Sequence, residues 1–381
     1  MSRVRPALLA AFALLSVAGI FASLARGRVH ALAELPAVLA ELDGRPAGCL
    51  AFAPDAAALE VVTLDAFVPG RGIGHALLRA VAGRADRVWL VTTNDNVAAQ
   101  RWLQLTTDSL VTRQRGDGIY AGLPWFNEYW GRDSFISLPG ATLVTGHFEE
   151  ARAILTSFAE FQDLDRGSRF YGRLPNIVKP GSIDYHTTDG TPRWVIALRD
   201  YVRYTGDRSI VAELYPNVQA SIEGALANFT DASGYLVHAD NETWMDARRE
   251  PDMVSYSPRS TRANDIQALW YEQLRAGADF AAALGDEESA TRWSAAADRL
   301  RTRFAHDFVD PATGRMADHL DARDAPNLQL RPNLLFSLQL LDQPEDTWRA
   351  ARHAWEALLS PWGGATLDQG DPGFHPYHLG P

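Results

Sequence analysis

The stretch RANDIQALWYEQLRAGADFAAALGDEESATRWSAAADRLRTRFAHDF, residues 262–308, decides the fold class. Apolar residues recur at a spacing near 3.6 through 262–285 and again through 287–308, which predicts two helices with a short connection. The same spacing predicts helices over 147–161, 192–205, 208–229, 328–341 and 346–359. Short connections make neighbours antiparallel, as in a toroid of helical hairpins. From about residue 118 onward the chain reads as helix after helix, joined by loops rich in Gly, Pro, Asp and Asn. Residues 172–177 and 231–234 carry loop signals.

Upstream, residues 29–107 read as mixed α and β. Leu59–Phe67 (LEVVTLDAF) and Arg87–Thr92 are predicted strands. Between them lie Pro69-Gly70-Arg71-Gly72-Ile73-Gly74 and a helix pattern from His75 to about Gly83; a second helix is predicted from Asn94 to Leu105. Strand, glycine-rich turn and helix together can present backbone N–H groups to a phosphate, and Gly70, Gly72 and Gly74 permit close approach. On spacing alone, plain connectivity explains this turn better than ligand binding does. At the start, Arg3 and Arg5 precede an uncharged apolar run from Ala7 to Ala25, with Ser23-Leu24-Ala25 and Arg26 closing it. This layout predicts a signal peptide over residues 1–28, hence export to a periplasmic or extracellular space. A membrane anchor is the alternative, since the run is just long enough to span a bilayer.

Composition narrows the functions. The chain has 381 residues with 36 Lys plus Arg against 47 Asp plus Glu, a net charge of −11. That balance argues against nucleic acid, which needs clustered cations, and leaves neutral sugar polymers compatible. The single cysteine, Cys49, excludes an intrachain disulfide and a Cys-rich metal site, and it reads as a small buried apolar residue. Eleven tryptophans suit both a core and a sugar cleft, where flat aromatic faces meet the apolar face of a pyranose.

Glycosidic hydrolysis needs one acid to protonate the leaving oxygen and a second carboxylate to activate water or attack the sugar. Three stretches place carboxylates among aromatic, loop-like residues. They are YAGLPWFNEYWGRDS (120–134), DYHTTD (184–189) and NETWMD (241–246). The bland reading of Asp133 and Asp189 is a helix N-cap.

Two resemblances emerge from these motifs. LPWFNEYWGRDSFISLPG (123–140), DYHTTDGTPRWVIAL (184–198), NETWMDAR (241–248), NDIQALWY (264–271), LRPNLLFSL (330–338) and HPYHLGP (375–381) follow one another as in the amylo-α-1,6-glucosidases, the glucosidase halves of glycogen debranching enzymes. The resemblance covers about residues 118–381. It implies a mainly α chain with an (α/α)6 toroid, C-terminally incomplete, and inverting hydrolysis of α-linked glucose from α-glucans. It implies Asp246 as the catalytic general acid. It also implies Trp125, Trp130, Arg132, Asp133, Asp189, Asn241 and Trp244 as substrate-binding residues, with Gln267 and Trp270 weaker cleft candidates. No cofactor or metal is expected there. The family's general base, a Glu downstream of the Tyr-His-Leu-Gly region, is expected beyond residue 381. Without a base, hydrolysis loses about 10² to 10⁴ in rate. Glu128 and Asp371 are conceivable substitutes by proximity to motifs alone.

VPGRGIGHALLRAV (68–81) and VWLVTTNDNVAAQRWLQ (88–104) resemble the GNAT acetyltransferases. The resemblance implies a small partial α/β domain over residues 29–107 in which Arg71, Gly72 and Gly74 contact the pyrophosphate of acetyl-CoA and Asn96 sits near the cofactor arm. A functional segment of this kind implies a cytoplasmic location. The alternative functions are therefore a GNAT-type N-acetyltransferase using acetyl-CoA, or an inactive sugar-binding fusion relict.

Overall fold

A computed structural model describes residues 3–6, 22–25, 28–31, 35–55, 58–66, 68, 71–82, 84, 87–90, 109–112, 117–123, 125–249, 251–360 and 363–375. The chain divides into two units, Met1–Leu103 and Gln104–Pro381.

In the first unit a five-stranded sheet runs in the order β1 (Arg3–Pro6), β4 (Ala37–Leu42), β5 (Arg45–Asp55), β6 (Ala58–Ala66), β7 (Arg87–Leu90). Neighbours are antiparallel except β6 and β7, which are parallel. A hairpin of β2 (Ala22–Ala25) and β3 (Arg28–Ala31) lies outside this order. Helix α1 (Ile73–Ala82) makes the parallel crossover that a two-residue turn cannot. Its Ile73, Leu77 and Val81 recur every four residues and bury against Val38, Ala40, Leu50, Phe52, Leu59 and Val61. The period of two in β4 and β5 sends Ala37, Leu39, Cys49 and Ala51 to the opposite face, so Cys49 is buried as its type predicts. The expected strands and first helix are present within about two residues. The helix expected at 94–105, including Asn96, and residues 7–21 of the apolar run lie outside the described residues. Among the described residues no helix is long and apolar enough to cross a membrane.

The second unit is mainly helical. Its long helices are α3 (Phe148–Glu160), α4 (Gly190–Thr205), α5 (Ser209–Asn228), α6 (Asn264–Leu284), α7 (Glu287–Phe308) and α9 (Pro344–Leu358); α2 (Gly131–Leu138) and α8 (Leu334–Ser337) are short. Local chemistry sets the α6–α7 turn. Gly285 ends α6 in the left-handed region, at φ +81°, where glycine carries no Cβ penalty. Asp286 then caps α7 by accepting a hydrogen bond from the Ser289 N–H, and Glu287 and Glu288 sit at the positive end of the helix dipole. The two helices differ in patterning. In α6, Asn264 to Trp270 are buried without a break, as in a helix covered on all sides. In α7 a single stripe, Ala290, Trp293, Ala297, Leu300, Phe304 and Phe308, faces inward. The most buried indoles each find a partner: Trp194 donates to the Leu155 carbonyl, Trp270 to the Gly234 carbonyl, and Trp293 to Glu223.

Two expectations are corrected. The aromatic stretch after Tyr120 is strand rather than loop. β9 (Gly118–Gly122) and β10 (Phe126–Trp130) form a hairpin in a sheet ordered β12 (Ser182–Asp184), β11 (Ile177–Lys179), β10, β9, β8 (Val111–Thr112), because aromatic side chains suit a pleated, half-buried surface. The helix expected over 328–341 is reduced to α8 and a 3₁₀ turn at Leu338–Leu340. Pro332 disfavours helical backbone at Arg331 and so delays the start.

Candidate active site

The second unit holds a cleft of about 700 Å³, within the range typical of small-molecule sites. Four segments converge on it. Strand β10 and helix α2 supply Phe126, Trp130, Arg132, Asp133 and Ile136. Helix α4 supplies Arg193. The loop 239–247 supplies Trp244, Asp246 and Ala247, and α8 with the turn before it supplies Pro332, Asn333 and Phe336. Alternation along β10 puts Phe126 and Trp130 on the cleft face, where their rings meet edge to face at 5.9 Å, and turns Tyr129 into the core.

Arg132, in the first turn of α2, is buried and ties three segments together. Its Nη2 donates to Asp246 Oδ2 at 2.6 Å, and its Nη1 donates to the Thr243 carbonyl at 2.9 Å and to Asp189 Oδ2 at 3.3 Å. Burial alone would lower this guanidinium's pKa, but Asp189 and Asp246 together raise it above its ordinary value. Asp133, one residue on, is different. Burial raises its carboxyl above the ordinary range and outweighs the pull of Arg132. Asp189 occupies the N-cap position of α4 yet caps nothing with its side chain. It is 1% exposed, with Oδ2 on Arg132 and Oδ1 buried without a partner. Capping therefore accounts for neither Asp133 nor Asp189.

Two further anchors hold the loop that carries Asp246. Buried Arg173 donates to Glu242 Oε2 at 3.2 Å, and Thr188 donates to Glu242 through both its N–H and its hydroxyl. Trp244 Nε1 donates to Asn333 Oδ1 at 2.9 Å, and Asn333 Nδ2 donates in turn to Asp318 Oδ1 at 3.0 Å. Asp318 lies in a buried cluster with Arg259 and Asp265. Although burial pushes the Asp318 carboxyl up, Arg259 and the hydrogen bonds from His319 and Asn333 hold it well below its usual range.

The structure thus brings Trp130, Arg132, Asp133, Trp244 and Asp246 to the cleft wall, with Asp189 directly behind Arg132. Others fall elsewhere. Trp125 is 81% exposed and does not line the cleft; Phe126 takes that place. Asn241 is half-buried on the same loop as Asp246 but off the lining. Gln267 clamps the backbone at Leu236 and Ala263, and Trp270 is core. Glu128 pairs with Lys179, and Asp371 accepts from Gly373 and Gln329; neither lines the cleft. In the first unit Arg71 is exposed, Gly72 has φ +70° with open space where a Cβ would stand, and Gly74 lies in the first turn of α1. Gly70 lies outside the described residues. Asn96 lies outside the described residues. Arg193, Asn333 and Phe336 were not singled out from sequence. The Arg-Pro-Asn-Leu-Leu-Phe run was visible, but its pattern alone did not distinguish cleft from core.

The amylo-alpha-1,6-glucosidase family profile matches residues 97–381, and the GNAT acetyltransferase family profile matches residues 20–105. A glycogen debranching enzyme of Saccharomyces cerevisiae is 23% identical over 384 aligned positions, covering 72% of this chain and 24% of that protein. The chain therefore spans about a quarter of that relative. Two solved structures share the fold over 72% of this chain. A GH63 mannosylglycerate hydrolase from Thermus thermophilus has a TM-score of 0.57 at 13% identity, with 82% of that chain covered. A GH78 rhamnosidase of Bacillus sp. GL1 has a TM-score of 0.55 at 17% identity, with 27% of that chain covered. The chain belongs to the amylo-alpha-1,6-glucosidase family of glycoside hydrolases, joined to an N-terminal stretch that matches the GNAT acetyltransferases.

Proposed function

We propose that the cleft hydrolyses α-linked glucose from a branched α-glucan, the α-1,6 linkage in particular, with inversion. In this reading Asp246 gives its proton to the leaving glycosidic oxygen, Arg132 orients it, Asp133 holds a sugar hydroxyl, and Trp130 and Trp244 stack on pyranose faces. The carrying observation is Asp246 on an aromatic-walled cleft, pinned by a buried guanidinium that also engages Asp189. Helix α6, buried on every side over Asn264–Trp270, beside the one-sided α7 supports an (α/α)6 toroid of inner and outer helices. Asp133 and Asp246 are the carboxylates that line the described cleft, and the water-activating base is assigned to neither.

A second assignment of the acid rests on one observation. General acids are commonly carboxyls whose pKa is raised by partly apolar surroundings, and in this cleft burial raises Asp133. α-Glucosyl fluoride separates the two, because fluoride leaves without protonation. With Asp246 as acid, Asp246→Asn loses at least about 100-fold on isomaltose and keeps most of its rate on the fluoride. The same split in Asp133→Asn, with the fluoride rate lost in Asp246→Asn, would move the role to Asp133.

For the first unit we propose binding of acetyl-CoA, with Arg71, Gly72 and Gly74 at its phosphates. Titration calorimetry with acetyl-CoA tests this: Arg71→Ala is expected to weaken binding, and absence of binding by the intact chain removes the proposal.

A further inference from the structure

The cleft contains two guanidinium groups in opposite situations. Arg132 is saturated by Asp189, Asp246 and a backbone carbonyl. Arg193, on the neighbouring wall, makes no side-chain hydrogen bond and no ion pair with any described residue, and its Nε is buried without an acceptor. Asp189, Asp265 and Asp133 act on it only at longer range, and burial holds its pKa below the ordinary value. Its one close side-chain neighbour of note is Phe336, whose ring centre lies 5.5 Å from the guanidinium carbon.

Arg193 is half-buried; a guanidinium partly withdrawn from water and left unpaired is costly, and a ligand that brings the missing charge relieves that cost. The planar fork of arginine matches the two oxygens of a carboxylate or phosphate, and such bidentate pairs are stronger than bonds to neutral hydroxyls. The cleft also holds Asp133 and Asp246, which disfavour a polyanion and leave room for one negative group beside Arg193.

We propose that Arg193 docks a single oxyanion, carboxylate or phosphate, carried by the α-glucoside that the cleft takes. The inference rests on the glucosidase reading above and adds to it a preference, among the α-glucosides that the cleft takes, for those with one acidic substituent.

Calorimetric titration at low salt with two matched pairs tests it. The pairs are isomaltose against isomaltobionate, its reducing end oxidised to a carboxylate, and glucose against α-glucose 1-phosphate. The acidic member of at least one pair is expected to bind at least about tenfold tighter, the size of one charge-assisted bidentate contact. Added salt is expected to shrink that preference and Arg193→Gln to abolish it. Preference in the first pair alone identifies a carboxylate ligand, and in the second alone a phosphate. Isomaltose binding with no preference in either pair overturns this proposal and leaves the glucosidase reading standing. Failure of all four to bind overturns both. A preference that survives in folded Arg193→Gln also overturns the proposal. Should Arg193→Gln not fold, Arg193→Lys, which keeps the charge but not the fork, is expected to retain only part of the preference, and full retention there counts against it.

Discussion

Asp246 and Arg193 mark the two extremes of what single residues disclosed. The place of Asp246 on the cleft was legible because Thr243-Trp244-Met245-Asp246 is a compact motif in a loop, and its role is the one that the family resemblance implies. Arg193 was illegible because it sits inside a helical pattern, where a polar position reads as solvated, and only the packed fold turns it toward the cleft. The exchange of Trp125 for Phe126 has the same origin. Without the strand assignment for Phe126–Trp130 there was no period of two to decide which neighbour faces the sugar. His238 offers a prediction at this scale. It is fully buried and neutral, its Nδ1 beside the Ala239 carbonyl and its Nε2 accepting the Ala263 N–H. Burial pushes its pKa from 6.5 down to about 3. Because the folded pKa is the lower one, the unfolded chain takes up the proton first as pH falls. The stabilisation is complete above pH 6.5 and is lost progressively toward pH 3, at about 1.4 kcal/mol per unit. Denaturant titrations between pH 6.5 and 4.5, a window above the usual carboxylate range, are expected to show that slope, and His238→Gln to flatten it. An equal slope in the variant would remove His238 as its source.

Elements were easier to read than residues where their periodicity is carried by packing. The hairpin of α6 and α7 was visible as two runs of spacing near 3.6, since the core it buries imposes that period. The β9–β10 hairpin was not visible, because an aromatic-rich segment suits strand and loop alike until its partners are known. Two predictions belong here. Gly224 lies in α5 where the helix touches the 171–172 turn, and a Cβ there would collide with the Tyr171 carbonyl. Gly224→Ala is expected to cost about 1–3 kcal/mol by overpacking, read as a lower denaturation midpoint; a midpoint equal to wild type would mean the turn moves aside freely. The loop 239–247 is held by Arg132, Arg173 and Asn333 at three separate points. Asn333→Ala frees the Trp244 indole and removes a donor from buried Asp318, and is expected to cost about 1–3 kcal/mol. It should also weaken isomaltose binding. Lost stability with unchanged affinity would show that Trp244 keeps its place without this bond.

At the scale of the whole molecule, the mainly helical class was legible, because a helical pattern carried over tens of residues differs from a mixed α/β one. The five-stranded sheet inside the helical unit was hidden, as its strands are two to five residues long and the pairing that unites them, β10 with β11, spans the whole of α2 and α3. The net charge of −11 agrees with a sugar ligand that is neutral or carries a single acid, since a polyanion would meet long-range repulsion. The central claim is that this cleft is a glucosidase site with Asp246 as its proton donor. The most direct measurement is glucose release from a branched α-glucan limit dextrin by the purified chain, beside Asp246→Asn, with dextrin binding measured for both. The account predicts release that falls at least about 100-fold in the variant while binding is kept; equal release from both proteins, or a dextrin that binds neither, would contradict it.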